Sequence, residues 1–329
     1  MKGGGELLKS EKDSEVSESK LQILAEAMRE MQPKIADFRG KSGFSDGMLQ
    51  RCEDELEAKL ERVKNNDKQQ LPSIGANDKY TWGAEAIVAY AFNDRQMFPT
   101  RDSFAFLASE YDDKINGTDI VVGLQMKDSS HYIAYSVDVA TGTNRESIHE
   151  KFSRSARWHG KTAPWNSFIK FCAFDGQYWS ESETPHFTLG LMPSRVDDAL
   201  EKIKINDDGL IAGRDSDPMT DFKLLSEMRE QLTMHEKSLH AQGLLDNQMG
   251  EVLRSISGAV NNRLYKILGV QGKDKIARAE DFKEKYTKMV KYCREDLVYR
   301  NILDECQIYR DEAIRRIRNG KIGRFAVGA

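Results

Sequence analysis

The sequence predicts an α+β fold, an α/β sandwich built on one sheet. Three observations lead there. Short apolar runs of strand length cluster between residues 103 and 192, helix-length segments flank them, and almost everything from Pro218 to Arg318 favours helix. The chain has 329 residues, of which 39% are hydrophobic and 31% charged. That is enough sequence to bury one large core or two ordinary ones.

Residues 1–20, rich in Gly, Ser, Glu and Lys, have little to bury and are expected to form a disordered tail. "LQILAEAMREM" has helical spacing at Leu21, Leu24, Ala25 and Met28, and Pro33 ends it. After a glycine-containing loop, "DGMLQRCEDELEAKLERVKNN" resumes helix with Leu49, Cys52, Leu56, Leu60 and Val63 on one side. The region 21–70 thus reads as a helical arm, and Pro72 to Asp78 as a turn-rich boundary. A compact core is expected over 78–208. It starts with an apolar helix in "YTWGAEAIVAYAFN", with Thr81 as a candidate N-cap.

Strands follow near Ser103–Tyr111, Asp119–Leu124 and Tyr132–Ala140, joined by "DDKING" and "MKDSSH" turns into an antiparallel meander. "NRESIHEKFSRSARWHG" is helical and stops at Gly160. "SFIKFCAF" and "HFTLGLM" give two more strands and "RVDDALEKIKI" a short helix. From Pro218, a good first-turn proline, helices are expected near 219–240, 244–268 and 276–318. They make a helical domain over 217–320, an appendage with few sheet contacts, followed by a basic tail at 321–329.

No run of about 18 apolar residues is present, so no membrane helix is expected. The N-terminus lacks the apolar stretch of a signal peptide, which implies the cytoplasm. Cys52, Cys172, Cys293 and Cys306 are scattered without metal-ligand spacing and read as reduced thiols. The histidines, His131, His149 and His159 among them, also lack ligand spacing. Phosphate-loop, nucleophile-elbow and HExxH signatures are absent. Trp158, Trp165 and Trp179 near "RSARWHGK" suit either core packing or base stacking.

Two carboxylates stand where strands prefer valine. Asp119 opens "DIVVGL" and Asp138 interrupts "YIAYSVDVA". A carboxylate in a sheet costs stability unless it is solvated, paired or bound to a metal. Antiparallel pairing brings the start of one run beside the end of the next, so the two can meet at one sheet edge. Convergent oxygens suit a hard cation such as Mg²⁺. Glu85, among Ala84, Ala86, Ile87, Val88 and Ala89, sits on a helix that is apolar on most sides. Asp112 and Asp113 rival it as a third ligand, against a turn role.

This arrangement resembles the PD-(D/E)XK nuclease-like superfamily over about residues 80–205. The order helix, meander, helix, strand corresponds, with "GTD" at Asp119, "VDVA" at Asp138 and Glu85 on the first helix. The resemblance implies a restriction-endonuclease-like core. It also implies Mg²⁺ or Mn²⁺ on Asp119 and Asp138, with Glu85 completing the site. Where the pattern has lysine two residues after the second acid, this chain has Ala140. In variants the lysine migrates to the following helix, and Lys151 in "IHEKFSR" is its candidate. The implied function is metal-dependent hydrolysis of DNA or RNA by Glu85, Asp119, Asp138 and Lys151. The alternative is a nuclease-like scaffold without catalysis that binds nucleic acid or protein. Self-association or a protein partner would then use the C-terminal helices.

Overall fold

The computed structural model describes residues 11–67, 74–93, 97–98, 101–126, 131–157, 166–174, 177–215, 217–241, 248–272 and 274–318. Helices α1 (Glu11–Met31) and α2 (Asp46–Asp67) lead into α3 (Ile74–Asn93). The strands β1 (Ser103–Leu107), β2 (Ile120–Gln125) and β3 (Tyr132–Ala140) form the expected antiparallel meander. Helix α4 (Arg145–Arg157) then crosses over, and β4 (Asn166–Phe174) and β5 (Gln177–Gly190) follow as a hairpin. Sheet order is β1-β2-β3-β5-β4. The long β5 serves two partners in succession. Residues Gln177 to Pro185 pair antiparallel with β4, and His186 to Gly190 pair parallel with β3. The class is α+β with a mixed five-stranded sheet and helices at both ends of the chain.

Several elements differ from expectation. Helix α1 starts at Glu11, so the polar stretch 11–20 is helical; residues 1–10 lie outside the described set. Buried Leu21, Leu24 and Met28 hold this helix to the body, and the Lys20 ammonium caps the carbonyls of Leu200 and Ile203 at 2.8 and 3.0 Å. Helix α3 begins at Ile74, inside the expected boundary segment. Thr81 is therefore interior to a helix and not its cap, and its hydroxyl meets that of Thr141 at 3.2 Å. Strand β1 stops at Leu107 because the next residues enter a π-helical turn, Asp112–Asn116.

A short helix α5 (Pro193–Lys202) is followed by a small hairpin, β6 (Ile203–Ile205) with β7 (Ile211–Arg214). The C-terminal part is α6 (Pro218–Ala241), α7 (Gln248–Ile267), α8 (Lys275–Cys293) and α9 (Leu297–Arg318). The expected single helix over 276–318 is thus two helices. Asp296 breaks it, its carboxylate accepting from the Tyr299 N–H at 3.1 Å in the manner of an N-cap. Its other oxygen pairs with Lys223 of α6. The basic tail 321–329, Trp158, His159 and Trp165 fall outside the described residues.

The C-terminal helices are no appendage. Phe222, Leu225, Met228 and Leu232 of α6 share one core with Ile87, Val88 and Phe92 of α3 and with Val122, Tyr135, Val137, Phe187 and Leu189 of the sheet. Two α6 side chains also complete the free edge of β5. Gln231 accepts from the Thr188 N–H at 2.8 Å and donates to its carbonyl at 2.6 Å, and Glu227 accepts from the Gly190 N–H at 2.8 Å. Gly190 is required there: a Cβ would lie 2.5 Å from Val298 and 2.8 Å from Ile302, both on α9. No described helix is long and apolar enough to cross a membrane. All four cysteines are free thiols.

Candidate functional site

Asp119 and Asp138 are brought to neighbouring strand ends by the meander register. Ile120 faces Val137, and the Asp119 N–H donates to the Val137 carbonyl at 2.9 Å. Asp119 is 8% exposed and Asp138 2%. The Val139 N–H donates to Asp119 Oδ2 at 2.6 Å, which ties the first aspartate to the backbone just beyond the second. Val137 and Val139 enter the core that α3 packs on, so Asp138 between them points to the opposite face.

That opposite face is where α4 arrives. Ile148 and Phe152 pack against Ala140, Met234 and Val298. Lys151, between them on the helix, turns its ammonium back to the sheet. It forms an ion pair with Asp138 and donates to the Val139 carbonyl at 3.2 Å. Three groups from two strands and a helix therefore share one strand end.

Glu85 approaches from α3. It is 8% exposed. Burial, then the neighbouring Asp119 and Asp113, hold it well above the usual carboxylate range; Lys114 and Lys151 pull the other way. Asp119 is pushed the same way by burial and then by Asp138. Asp119 is common to both influences: its charge acts on Glu85, and Asp138 and Lys151 act on it. Glu85, Asp119 and Asp138 do not form a single cage. Among the described residues no three His, Cys, Asp or Glu side chains are grouped so as to hold a metal ion.

Sequence reasoning treated Asp112 and Asp113 alike, and the structure separates them. Asp112 is fully buried and structural: it accepts from Ser109 Oγ, Asn116 Nδ2 and the N–H groups of Lys170 and Phe171, at 2.6–2.8 Å. Asp113 has other partners. Its Oδ2 accepts from Gln32 Nε2 at 3.0 Å and from Lys114 Nζ at 2.8 Å. Burial alone would lower the Lys114 ammonium, but Asp113, Asp119 and Glu85 outweigh it and hold it high. Gln32 and Lys114 were not among the expected site residues, and Asp113 entered only as a rival third ligand. The only sequence signal was a charged "DDK" five residues ahead of Asp119, in a stretch that reads as a turn.

His149 is not part of the site; its Nδ1 pairs with Glu305 at 2.8 Å and ties α4 to α9. His131 is exposed. Comparison with protein-family models, curated proteins and solved structures finds no match to this chain.

Proposed function

We propose that the chain is a metal-dependent phosphodiesterase acting on nucleic acid, with Asp119, Asp138, Glu85 and Lys151 as its working residues and a restriction-endonuclease-like core as its frame. The observation that carries this is the arrival of the Lys151 ammonium, from a different element, at the strand end shared by both aspartates. A lysine beside paired carboxylates is what phosphodiester hydrolysis needs. The carboxylates attract a cation, and the ammonium attracts the phosphate that carboxylates alone would repel.

The donor set suits Mg²⁺ or Mn²⁺ in chemistry, being hard oxygen throughout, and Glu85 and Asp119 are buried carboxylates. Asp119 and Asp138 would hold the ion, with waters filling its remaining positions, since among the described residues no third carboxylate is grouped with them. Once bound, it would polarise the phosphate and acidify a bound water. Lys151 would donate N–H bonds to a non-bridging phosphate oxygen, where negative charge accumulates. Glu85, whose burial favours proton uptake, would accept a proton from the attacking water. The water oxygen bonds to phosphorus as the ester P–O bond breaks, and the leaving oxygen takes up a proton from solvent water.

The test is incubation with single- and double-stranded DNA and RNA in Mg²⁺ or Mn²⁺, with chelator as control. Cleavage by the wild type that Asp138→Asn abolishes, with folding retained, is the expected result. A wild type that cleaves none of these substrates refutes the reading. The second reading is a non-hydrolysing scaffold that binds nucleic acid without metal. It draws on Lys151 already paired with Asp138 and on the absence, among the described residues, of a three-carboxylate group.

A further inference from the structure

We propose that the sheet face bearing Phe104, Phe106 and Tyr132 is a stacking surface for unpaired bases, so that the nucleic acid held is single-stranded. The inference rests on the reading above for its ligand, nucleic acid, and adds the ligand's form and a place where it lies. Strand register sets the placement. Ala105 and Leu107 of β1 and Ile133, Tyr135, Val137 and Val139 of β3 enter the core that α3 packs on. Their alternates Phe104, Phe106, Tyr132, Ala134 and Asp138 therefore point to the opposite face. Across the strands, Phe104 faces Gly123, which faces Ala134, and Phe106 faces Val121, which faces Ser136. All three rings thus stand on the face to which Asp138 points.

The rings are in contact. Phe104 and Phe106 lie nearly parallel with centroids 6.1 Å apart, and Phe104 meets Tyr132, on the next strand but one, at 5.2 Å. Gly123 makes that reach possible. A Cβ there would lie 2.2–2.7 Å from atoms of the Phe104 ring, so the missing side chain lets the ring lie across β2. Packing on glycine accounts for Phe104. It does not account for Tyr132, which is 45% exposed, or for the exposed Ala134 on the same face. Single exposed apolar side chains are ordinary, but an exposed ring continuous with two more is a patch, and such patches mark binding surfaces.

Flat rings on a pleated surface suit flat ligands. Every base has a π-face, which makes stacking tolerant of sequence, and sheet-borne aromatics hold two or three bases of a single strand in this way. A duplex keeps its base faces inside its own stack and has none to offer. Toward the acids, Ile169 of β4 closes over Val121 and Ala108, and Phe106 packs against that cluster. Tyr132 lies six residues from Asp138 along β3, a span of about 20 Å. The surface is a grip on the strand at a distance from the reacting centre, and takes no part in the chemistry.

The test is equilibrium binding, in chelator so that no cleavage competes, of labelled oligonucleotides that are single-stranded, duplex, or single-stranded without bases. Wild type should bind the base-bearing single strand most tightly. Tyr132→Thr removes the ring but keeps a strand-favouring residue, and should weaken that binding about five- to 150-fold, the cost of one lost base stack. Affinity for the strand without bases should be the same in both proteins, which shows the fold intact, and Tyr132→Phe should bind as wild type does. The dependence of affinity on salt should not change, because no phosphate contact is lost. Tyr132→Thr that binds the base-bearing strand as well as wild type overturns the inference, as does a wild type that prefers duplex. Loss of self-association in Tyr132→Thr with oligonucleotide affinity unchanged also overturns it, since the face then meets protein. Wild type that binds as described yet cleaves nothing in Mg²⁺ or Mn²⁺ refutes the hydrolase reading and leaves this inference standing. Wild type that cleaves, beside Tyr132→Thr of equal affinity, refutes this inference alone.

Discussion

Replacing Asp112 by asparagine should destabilise the protein by about 2–4 kcal/mol, although the change alters one atom in shape. The carboxylate has two oxygens and four donors. Oδ1 accepts from Asn116 Nδ2 at 2.6 Å and the Lys170 N–H at 2.8 Å; Oδ2 accepts from Ser109 Oγ and the Phe171 N–H, both at 2.8 Å. Asparagine keeps one oxygen and aims an N–H₂ at donors on the other side. Ser109 or Asn116 can turn to accept, but a backbone N–H of β4 cannot. One buried backbone donor is left without a partner, which costs about 1–3 kcal/mol, and the surviving bonds lose charge assistance worth about 1 kcal/mol. Relief of the buried charge, which burial already holds above the ordinary carboxylate range, offsets part of this. Unfolding entropy of about 2.1 cal/mol/K per residue gives about 0.7 kcal/mol/K for 329 residues. The melting temperature should therefore fall by about 3–6 °C, and the urea midpoint should fall at unchanged m. Asp112→Ala should lose more, about 3–5 kcal/mol, since both β4 donors are abandoned. An asparagine variant as stable as the wild type would refute the reasoning, because the carboxylate would then be dispensable as an acceptor.

Three further outcomes are expected. Asp119→Asn should raise the melting temperature at neutral pH while abolishing metal-dependent cleavage, because it removes a buried charge beside Asp138 and Glu85 yet keeps an oxygen for the Val139 N–H; a lower melting temperature would contradict it. Glu227 is fully buried with Oε1 lacking a partner among the described residues, and burial holds its carboxyl well above the usual range. The folded state thus binds this proton more tightly than the unfolded chain, so the associated stability is complete below about pH 4.3 and is lost as pH rises through the folded value. Glu227→Gln should flatten that slope in melting scans between pH 5 and 8 and stabilise the upper end; an identical slope would count against it. Gln231→Ala, which strips both backbone groups of Thr188, should cost about 1–3 kcal/mol by urea titration without a direct effect on the acids.

The sequence made the meander legible because β2 and β3 are apolar runs bounded by turn residues, and a misplaced carboxylate in each run marked the strand end. Lys151 was legible through Ile148 and Phe152, which fix the helix face. Asp112 was not, because two of its donors lie on Lys170 and Phe171, 58 and 59 residues further along the chain. Local pattern suggests only a turn. The seating of α6 was hidden for a related reason. Asp221, Lys223, Glu227 and Gln231 are polar residues in a helical stretch, yet all are buried, where they meet Arg263, Asp296, the Gly190 N–H and Thr188. Polar residues whose partners come from distant elements look the same in sequence as polar residues facing water.

The Gln231 clasp on Thr188 has a mechanical side. Thr188 pairs on its other edge with Asp138, so a single strand separates α6 from the carboxylate that Lys151 holds. A shove on the helix, from a partner or from strain at the Asp296 break, has one peptide rung to cross before it moves that carboxylate. A fragment cut before Pro218 would leave Thr188 and Gly190 as raw backbone at an open seam, inviting another chain to zip on. The half that carries the acids and the half that looks like a handle are, in practice, one tool.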